Sequence, residues 1–458
     1  MIYFIQNVII QYRTNPTKVN VKMTYTIDPN NFPSFTFCNI NPVRVDLFSK
    51  NLMANKFSSS LKHNNKSKQW MEIQLMNKII NQKSLLASCD GTIKRSSSKP
   101  LLENYYVQEQ IDLAENLTTD QFQGALNEHL YRLLTFNNNE TEINYNRIQT
   151  MYGFKLEDML LKCTFNGRPC ENHNTFRNLF HPEYGNCYTF DHKFSINNSI
   201  DNSYTLLLQL YLHQQYYSEH LDQKAAFRAF LHRKQEIPIM AQNSFYLAPN
   251  IYSKLVFSKR IIHHVNTRAS PCRTQLTPEM SLTFRTNETN VYTQALCIKY
   301  CQQLYIHHHC QCIEPYAMMF LRSSTVNVKG TITSAKLCNL NETCLKNVKQ
   351  NFSSNKCTEC LPECETFQYN IQTSYAQYPN SKSYGKVLKS ILEHFKDDNR
   401  FLLLQGKRKN CREIIQDNVV AVEITAGTYG TEILTETLMV SWTDLISSIG
   451  GQTGLWIG

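Results

Sequence analysis

No unbroken apolar run of about 18 residues occurs anywhere in this chain, so no complete transmembrane helix can be read from it. Basic residues outnumber acidic ones, 47 to 37, yet no Lys/Arg block gathers the resulting formal charge of +10. A charge spread this thinly does not indicate a nucleic-acid surface. Met1–Tyr12 has neither a basic n-region nor a small-residue cleavage site, so it does not read as a secretory leader. There is no internal repeat and no long low-complexity tract. No cysteine carries a flanking nucleophile motif, and a cysteine held in a bridge cannot attack a substrate, so a cysteine hydrolase is the weakest class of function.

What the chain does have is cysteine: 16 in 458 residues. Ten fall in one stretch, namely Cys272, Cys297, Cys301, Cys310, Cys312, Cys338, Cys344, Cys357, Cys360 and Cys364. Zinc is one reading, because Cys297-x3-Cys301 and Cys357-x2-Cys360 have metal-ligand spacing and His307, His308 and His309 adjoin Cys310. Disulfides are the other, and the preferred one. Cys38, Cys163, Cys170, Cys187 and Cys272 sit in turn-like or strand-end contexts that a zinc module does not explain. Residues 291–309 read as a helix, which places Cys297 and Cys301 one turn apart on one face. Cys357 and Cys360 have similar spacing, so two antiparallel segments can be stapled by Cys297–Cys360 and Cys301–Cys357. Bridges imply an oxidising, extracellular setting. The sequons at Asn65, Asn116, Asn139, Asn197, Asn287, Asn341 and Asn351 suit a glycosylated ectodomain.

A chain of this length is expected to hold about three domain-sized units and a large core, which the staples supplement. Both ends are apolar. Met1–Ile10 stops at Gln11-Tyr12-Arg13, and Leu445–Gly458 turns apolar and glycine-rich. An ectodomain flanked by parts of two membrane helices accounts for both ends. Between them, Phe32–Asn39 reads as a strand, as do Thr205–Tyr217, Ser244–Val256, Lys259–Val265 and Asn418–Thr425. Residues 66–82 and 105–135 carry helix-like spacing. The cleanest helix lies within Asn380–Arg400, where Tyr384, Val387, Leu388, Ile391, Leu392 and Phe395 share one face. Cys163–Cys170 reads as a closed turn broken by Gly167 and Pro169. The first and last strands both lead toward the terminal apolar segments and are expected side by side.

Six motifs in order now resemble one family. They are Phe32-Pro33-Ser34-Phe35-Thr36-Phe37-Cys38-Asn39; Met159–Gly167 followed by Cys170; Gly185-Asn186-Cys187-Tyr188-Thr189-Phe190; Cys310-Gln311-Cys312; Cys357-Thr358-Glu359-Cys360-Leu361-Pro362-Glu363-Cys364; and Gly450-Gly451-Gln452-Thr453-Gly454-Leu455-Trp456-Ile457-Gly458. The chain resembles the degenerin / epithelial sodium channel / acid-sensing ion channel superfamily over nearly its whole length. The fold this implies is α+β: a disulfide-rich extracellular domain with a central β-sheet palm, helical finger and thumb, a small β-ball and truncated transmembrane helices at both ends. The implied divisions are 1–23, first membrane helix and wrist; 24–45, first palm strand; 46–160, finger; 161–271, palm strands and β-ball; 272–365, thumb; 366–440, palm return and knuckle helix; and 441–458, start of the pore-lining helix.

The implied bridges are Cys38–Cys187, Cys163–Cys170, Cys272–Cys364, Cys297–Cys360, Cys301–Cys357, Cys310–Cys344 and Cys312–Cys338. Cys89 and Cys411 fall outside that pattern and are expected to form an eighth. The implied function is a subunit of a trimeric, sodium-selective, amiloride-sensitive plasma-membrane channel, homomeric or heteromeric, with no cofactor and no resident metal. Gly458 matches the filter glycine, Ser447 matches the pore-mouth position where a bulky side chain holds the gate open, and Gly450, Gly451 and Gly454 line the same helix. Acid-sensing relatives carry a histidine pair where this chain has Tyr12-Arg13-Thr14, and arginine does not titrate near neutral pH. Between Cys272 and Cys297 only Glu279 and Glu288 are acidic, and between Cys344 and Cys357 there are only the basic Lys346, Lys349 and Lys356. The aromatic expected before Cys272 is Ala269. These departures disfavour proton gating and point to an extracellular peptide ligand. Mechanical or constitutive opening, and a non-conducting binding protein, are the alternatives.

Overall fold

The computed structural model describes residues 2–14, 17–24, 32–44, 153–172, 175–181, 184–191, 204–217, 223–239, 244–283, 291–314, 325–328, 331–334, 336–338, 343–395 and 411–457. In chain order these form α1 (Ile2–Thr14), β1 (Thr17–Thr24), β2 (Ser34–Asn39), α2 (Leu156–Met159), β3 (Leu160–Phe165), β4 (Arg168–Pro169), β5 (Phe176–His181), β6 (Gly185–Phe190), β7 (Thr205–Tyr211), β8 (Phe227–His232), β9 (Phe245–Leu247) and β10 (Ile251–His263). There follow α3 (Pro278–Thr283), α4 (Gln294–Cys310), β11 (Cys312–Ile313), β12 (Thr325–Val328), β13 (Thr331–Ser334), β14 (Lys336–Leu337), α5 (Thr343–Asn351), β15 (Glu365–Gln377), α6 (Tyr384–His394), α7 (Cys411–Asn418), β16 (Val419–Leu438) and α8 (Trp442–Ile457).

Two sheets make the body. The larger runs β15-β10-β16-β7-β3-β4, with β1 added on β16; the smaller is the antiparallel β5-β6-β2-β8-β9. Alternation explains their packing. Leu206, Leu208 and Leu210 of β7 and Val420, Val422 and Ile424 of β16 bury one face of the large sheet against Phe35 and Phe37 of β2, Phe190 and Phe227. The other face of the large sheet is covered near Leu161 and Tyr211 by Leu388, Ile391 and Phe395 from α6 and its end, and by Ile415 of α7.

Strand β2 is buried on both sides. Away from the phenylalanines, Thr36 Oγ1 lies 2.7 Å from Thr189 Oγ1 and 2.8 Å from His232 Nε2, while His232 Nδ1 lies 2.9 Å from the Arg233 carbonyl. Burial pushes His232 down to about 3, so the imidazole is neutral, donating from one nitrogen and accepting at the other. The motif glycine Gly185 opens β6 at φ +66°, and a Cβ there would come within 2.3 Å of the Pro42 carbonyl oxygen.

Several expectations change. Strand β2, expected beside the last strand, lies in the small sheet between β6 and β8. The partner of the last strand is β1, running Thr17↔Leu438 to Thr24↔Thr431. Its sequence Thr-Lys-Val-Asn-Val-Lys-Met-Thr is exposed almost throughout, so it carries little burial signal, and the reading merged it with the preceding helix. Thr205–Tyr217 is strand only to Tyr211; the chain then turns at His213 (φ 58°), and Asn418 Oδ1 accepts the Gln214 N–H at 2.7 Å. The two strands expected over 244–265 are the short β9 and one 13-residue β10. Helices expected over 66–82 and 105–135 lie outside the described residues.

Candidate functional site

The candidate site is the route from the cysteine-rich helices to the two terminal helices. It begins at α4. Thr293 caps it, accepting the Leu296 N–H at 3.2 Å, and Gln311 ends it in the left-handed region at φ 52°. Cys297 and Cys301 lie on one face and are paired with Cys360 and Cys357. Further along, Cys310 is paired with Cys344 on α5, and Cys312 with Cys338. Between α4 and α5 pack Ile306, Leu345 and Val348, while Leu296 and Tyr300 belong to a separate cluster with Met280, Tyr292 and Ile313. At the root of this unit Cys272 is bridged to Cys364. Elsewhere Cys38 is bridged to Cys187, its direct cross-strand neighbour, and Cys163 to Cys170 across the Asn166-Gly167 turn. These are the seven pairs implied by the resemblance. Cys89 lies outside the described residues. Among the described residues no cluster of metal ligands occurs.

The root is densely bonded to the large sheet. His264 N–H donates to the Cys364 carbonyl at 2.8 Å, and Arg273 N–H donates to the Pro362 carbonyl at 2.9 Å. Asn266 Oδ1 accepts the Cys272 N–H at 3.3 Å. Glu436 of β16 receives the Val265 N–H at 3.3 Å and lies 3.1 Å from His264 Nδ1. Five residues on, Ser441 and Asp444 cap α8 reciprocally: Ser441 Oγ accepts the Asp444 N–H at 3.1 Å and Asp444 Oδ2 accepts the Ser441 N–H at 2.9 Å. Trp442 meets Tyr12 at 5.9 Å between ring centroids, joining α8 to α1.

Ser447, Gly450, Gly451 and Gly454 all lie on α8, with Ser447 exposed; Gly458 is outside the described residues. A Cβ built on Gly450, Gly451 or Gly454 meets nothing within 4 Å in this chain. Thr453 bonds back to the Ile449 carbonyl at 2.8 Å, so these small residues continue a regular helix. Tyr3, Ile10, Trp442, Ile446, Leu455 and Trp456 expose large apolar side chains on the two terminal helices. Among the described residues no helix is long and apolar enough to cross a membrane; the positions where truncated membrane helices are expected hold α1 and α8. Of the sequons, Asn351 is exposed at the end of α5; Asn65, Asn116, Asn139, Asn197, Asn287 and Asn341 lie outside the described residues.

The charges differ from expectation in one respect. Lys349 pairs with the buried Glu314, and Lys356 lies over the Tyr305 ring at 4.5 Å. Ala269 is exposed, Glu279 lies in α3 and Glu288 is outside the described residues. Carboxylates nevertheless gather at the root from elsewhere. Glu363 accepts the N–H of Gln294 at the start of α4, and Glu236, in the loop after β8, accepts the Arg233 N–H at 3.2 Å. Burial and the charge of Glu363 push Glu236 up to about 7, against the Arg233 hydrogen bond and charge. Glu365 adds an ion pair with Arg233 at 3.0 Å. None of these carboxylates lies between Cys272 and Cys297 or between Cys344 and Cys357, and Glu236 arrives from the small sheet, so the acidic content of those two intervals gives no sign of the group.

The family model described as "Amiloride-sensitive sodium channel" matches residues 1–458. The chain belongs to that family. Degenerin del-1 of Caenorhabditis elegans is 25% identical over 310 residues, 67% of this chain and 43% of that protein. The epithelial sodium channel subunit beta of Neoceratodus forsteri is 23% identical over 314 residues, 67% of this chain and 45% of that protein. Degenerin unc-8 of Caenorhabditis elegans is 24% identical over 310 residues, 67% and 37% respectively. The chain thus spans less than half the length of the curated relatives it matches. The family is one of ion channels, not of enzymes.

Proposed function

We propose that the chain is a subunit of a trimeric, sodium-selective, amiloride-sensitive cation channel of the plasma membrane. Its cysteine-rich helical unit and its sheets face the outside, and α1 and α8 belong to the membrane-embedded part. The observation that carries this reading is the joining of the two terminal helices, through Tyr12 and Trp442 and through the β1–β16 ladder, at the foot of a disulfide-stapled domain. Such a ladder makes the two helices move with the sheet. Three facing copies of α8 could present backbone carbonyls and hydroxyls to a small dehydrated cation. The open glycine face of α8 suits close approach of other copies.

We favour opening by an extracellular ligand such as a neuropeptide, because Arg13 stands where acid-sensing relatives carry a histidine pair and no carboxylate lies between Cys344 and Cys357. The carboxylates of Glu236 and Glu363 make acid the first competing stimulus to test. Expression in oocytes tests the reading: a sodium-selective current blocked by amiloride and evoked by neuropeptides is expected. Acid-evoked current would replace the ligand assignment. Absence of current under peptides, acid and stretch, with the protein at the cell surface, would favour an obligate heteromer or the non-conducting alternative. Endoglycosidase treatment followed by peptide mass spectrometry should find Asn351 modified.

A further inference from the structure

We propose that the Glu436 carboxylate is the positioning residue that couples the root of the stapled helical unit to helix α8. The proposal rests on the channel reading for its functional meaning, and on the geometry alone for its structural content.

Strands β10 and β16 run parallel, and their ladder ends at His263↔Thr435. Beyond that pair the two chains part. β10 leads through His264 and Val265 to the Cys272–Cys364 bridge, while β16 leads to Ser441 and α8. Glu436 is the first residue of β16 after the ladder. Its side chain takes up the Val265 N–H at 3.3 Å and lies 3.1 Å from His264 Nδ1, so it ties the two chains at the point where they diverge.

The other carboxylates on β16 do something different. Glu423 and Glu432 pair with Lys254 and Arg260 at 2.9 and 2.5 Å. Both lie within the ladder, opposite their partners in register. There the main-chain hydrogen bonds already hold the strands, and the ion pairs add little. At Glu436 the side chain holds the only ladder-like bond across the fork among the described residues.

The loop on the far side is stiff enough to transmit. Asn266 holds the Cys272 N–H, Thr267 N–H donates to the Ser270 carbonyl at 3.2 Å, and Thr267 Oγ1 accepts the Ser270 N–H at 2.9 Å. A shift at the bridge therefore reaches Val265 with little loss. On the near side Glu436 faces Val19 of β1, two residues from Thr17↔Leu438, and both strands run on toward the helices joined by Tyr12 and Trp442. Ala269 is exposed and takes no part.

The test compares the full chain with its E436A, E436Q and E432A variants by hydrogen exchange in detergent. E436A should raise exchange at the Val265 amide and, with it, in residues 439–445, each by about tenfold, which is within the usual range of coupling between sites. E436Q keeps an acceptor oxygen for the Val265 N–H and should restore most of the protection. E432A should leave residues 439–445 unchanged. Faster exchange at Val265 with no change in 439–445, or the same effect from E432A, overturns the proposal. Oocyte recording of the same variants separates the two readings. Wild-type current with coupled exchange supports both. Coupled exchange without any wild-type current sinks the channel reading alone, and wild-type current with uncoupled exchange sinks the role of Glu436 alone.

Discussion

Buried polar residues set the chemistry of this molecule one side chain at a time. Arg44 is almost fully buried, 3.2 Å from Asp158 and with its guanidinium 4.2 Å from the centre of the Tyr216 ring. Arg44→Ala would leave the Asp158 carboxylate without its cation, and should cost about 3–5 kcal/mol in thermal or denaturant unfolding. Glu236 gives a second prediction with a definite sign. Its pKa is raised in the folded state, so the folded chain holds a proton that the unfolded chain has already lost. Its contribution is fully present below about pH 4.5 and is lost as pH rises through about 7. E236Q should therefore raise the melting temperature at pH 8 relative to wild type and flatten its fall between pH 5 and 8. An unchanged pH profile would sink this assignment. His232 works in the opposite direction: its neutral form is required, so stability should fall as pH drops below about 6.5.

At the scale of elements, nested bridges stiffen α4. Cys297–Cys360 and Cys301–Cys357 close loops that share nearly all their residues. Once one is closed, the other removes little further freedom from the unfolded chain, because loop entropy grows only with the logarithm of length. Replacing either pair with serine should cost clearly less than half of what replacing both costs, read from melting temperatures of the three variants. Equal, additive losses would contradict the loop argument. This element is also where sequence reading was most direct. One helical turn separates Cys297 from Cys301, a spacing that any helix imposes, and the core face of α6 repeats at helical intervals. Strand β1 was illegible for the converse reason. An edge strand exposed on both faces has no alternation to display, and its neighbour is set by contacts with residues more than four hundred positions away. Which sheet received β2 could not be read either, since a strand buried on both sides looks alike in any sheet.

For the whole molecule, the decisive question is how motion reaches the helices. The sequence located the cysteine lattice and the last helix, but not the fork at Glu436, because a carboxylate that bonds across a divergence of two strands has no motif. The channel reading predicts that Ser447→Trp, on the exposed side of α8, will increase resting amiloride-sensitive current in oocytes several-fold without added stimulus. A surface-expressed variant with wild-type resting current would exclude a pore-mouth role for this position.

Strand β16 changes neighbours midway, from β7 above to β1 below, and between Phe257↔Ala426 and Lys259↔Thr431 it advances five positions while β10 advances two. Gly427 lies in that interval, where a Cβ would approach Val256 Cγ1 to 2.3 Å. The length of this interval is thus a gearing ratio. One residue more or fewer would turn Glu432, Leu434 and Glu436 to the opposite face of the sheet and carry α8 with them. Substitutions can drift here within steric limits, but insertions and deletions would reset the phase between the ectodomain and its last helix.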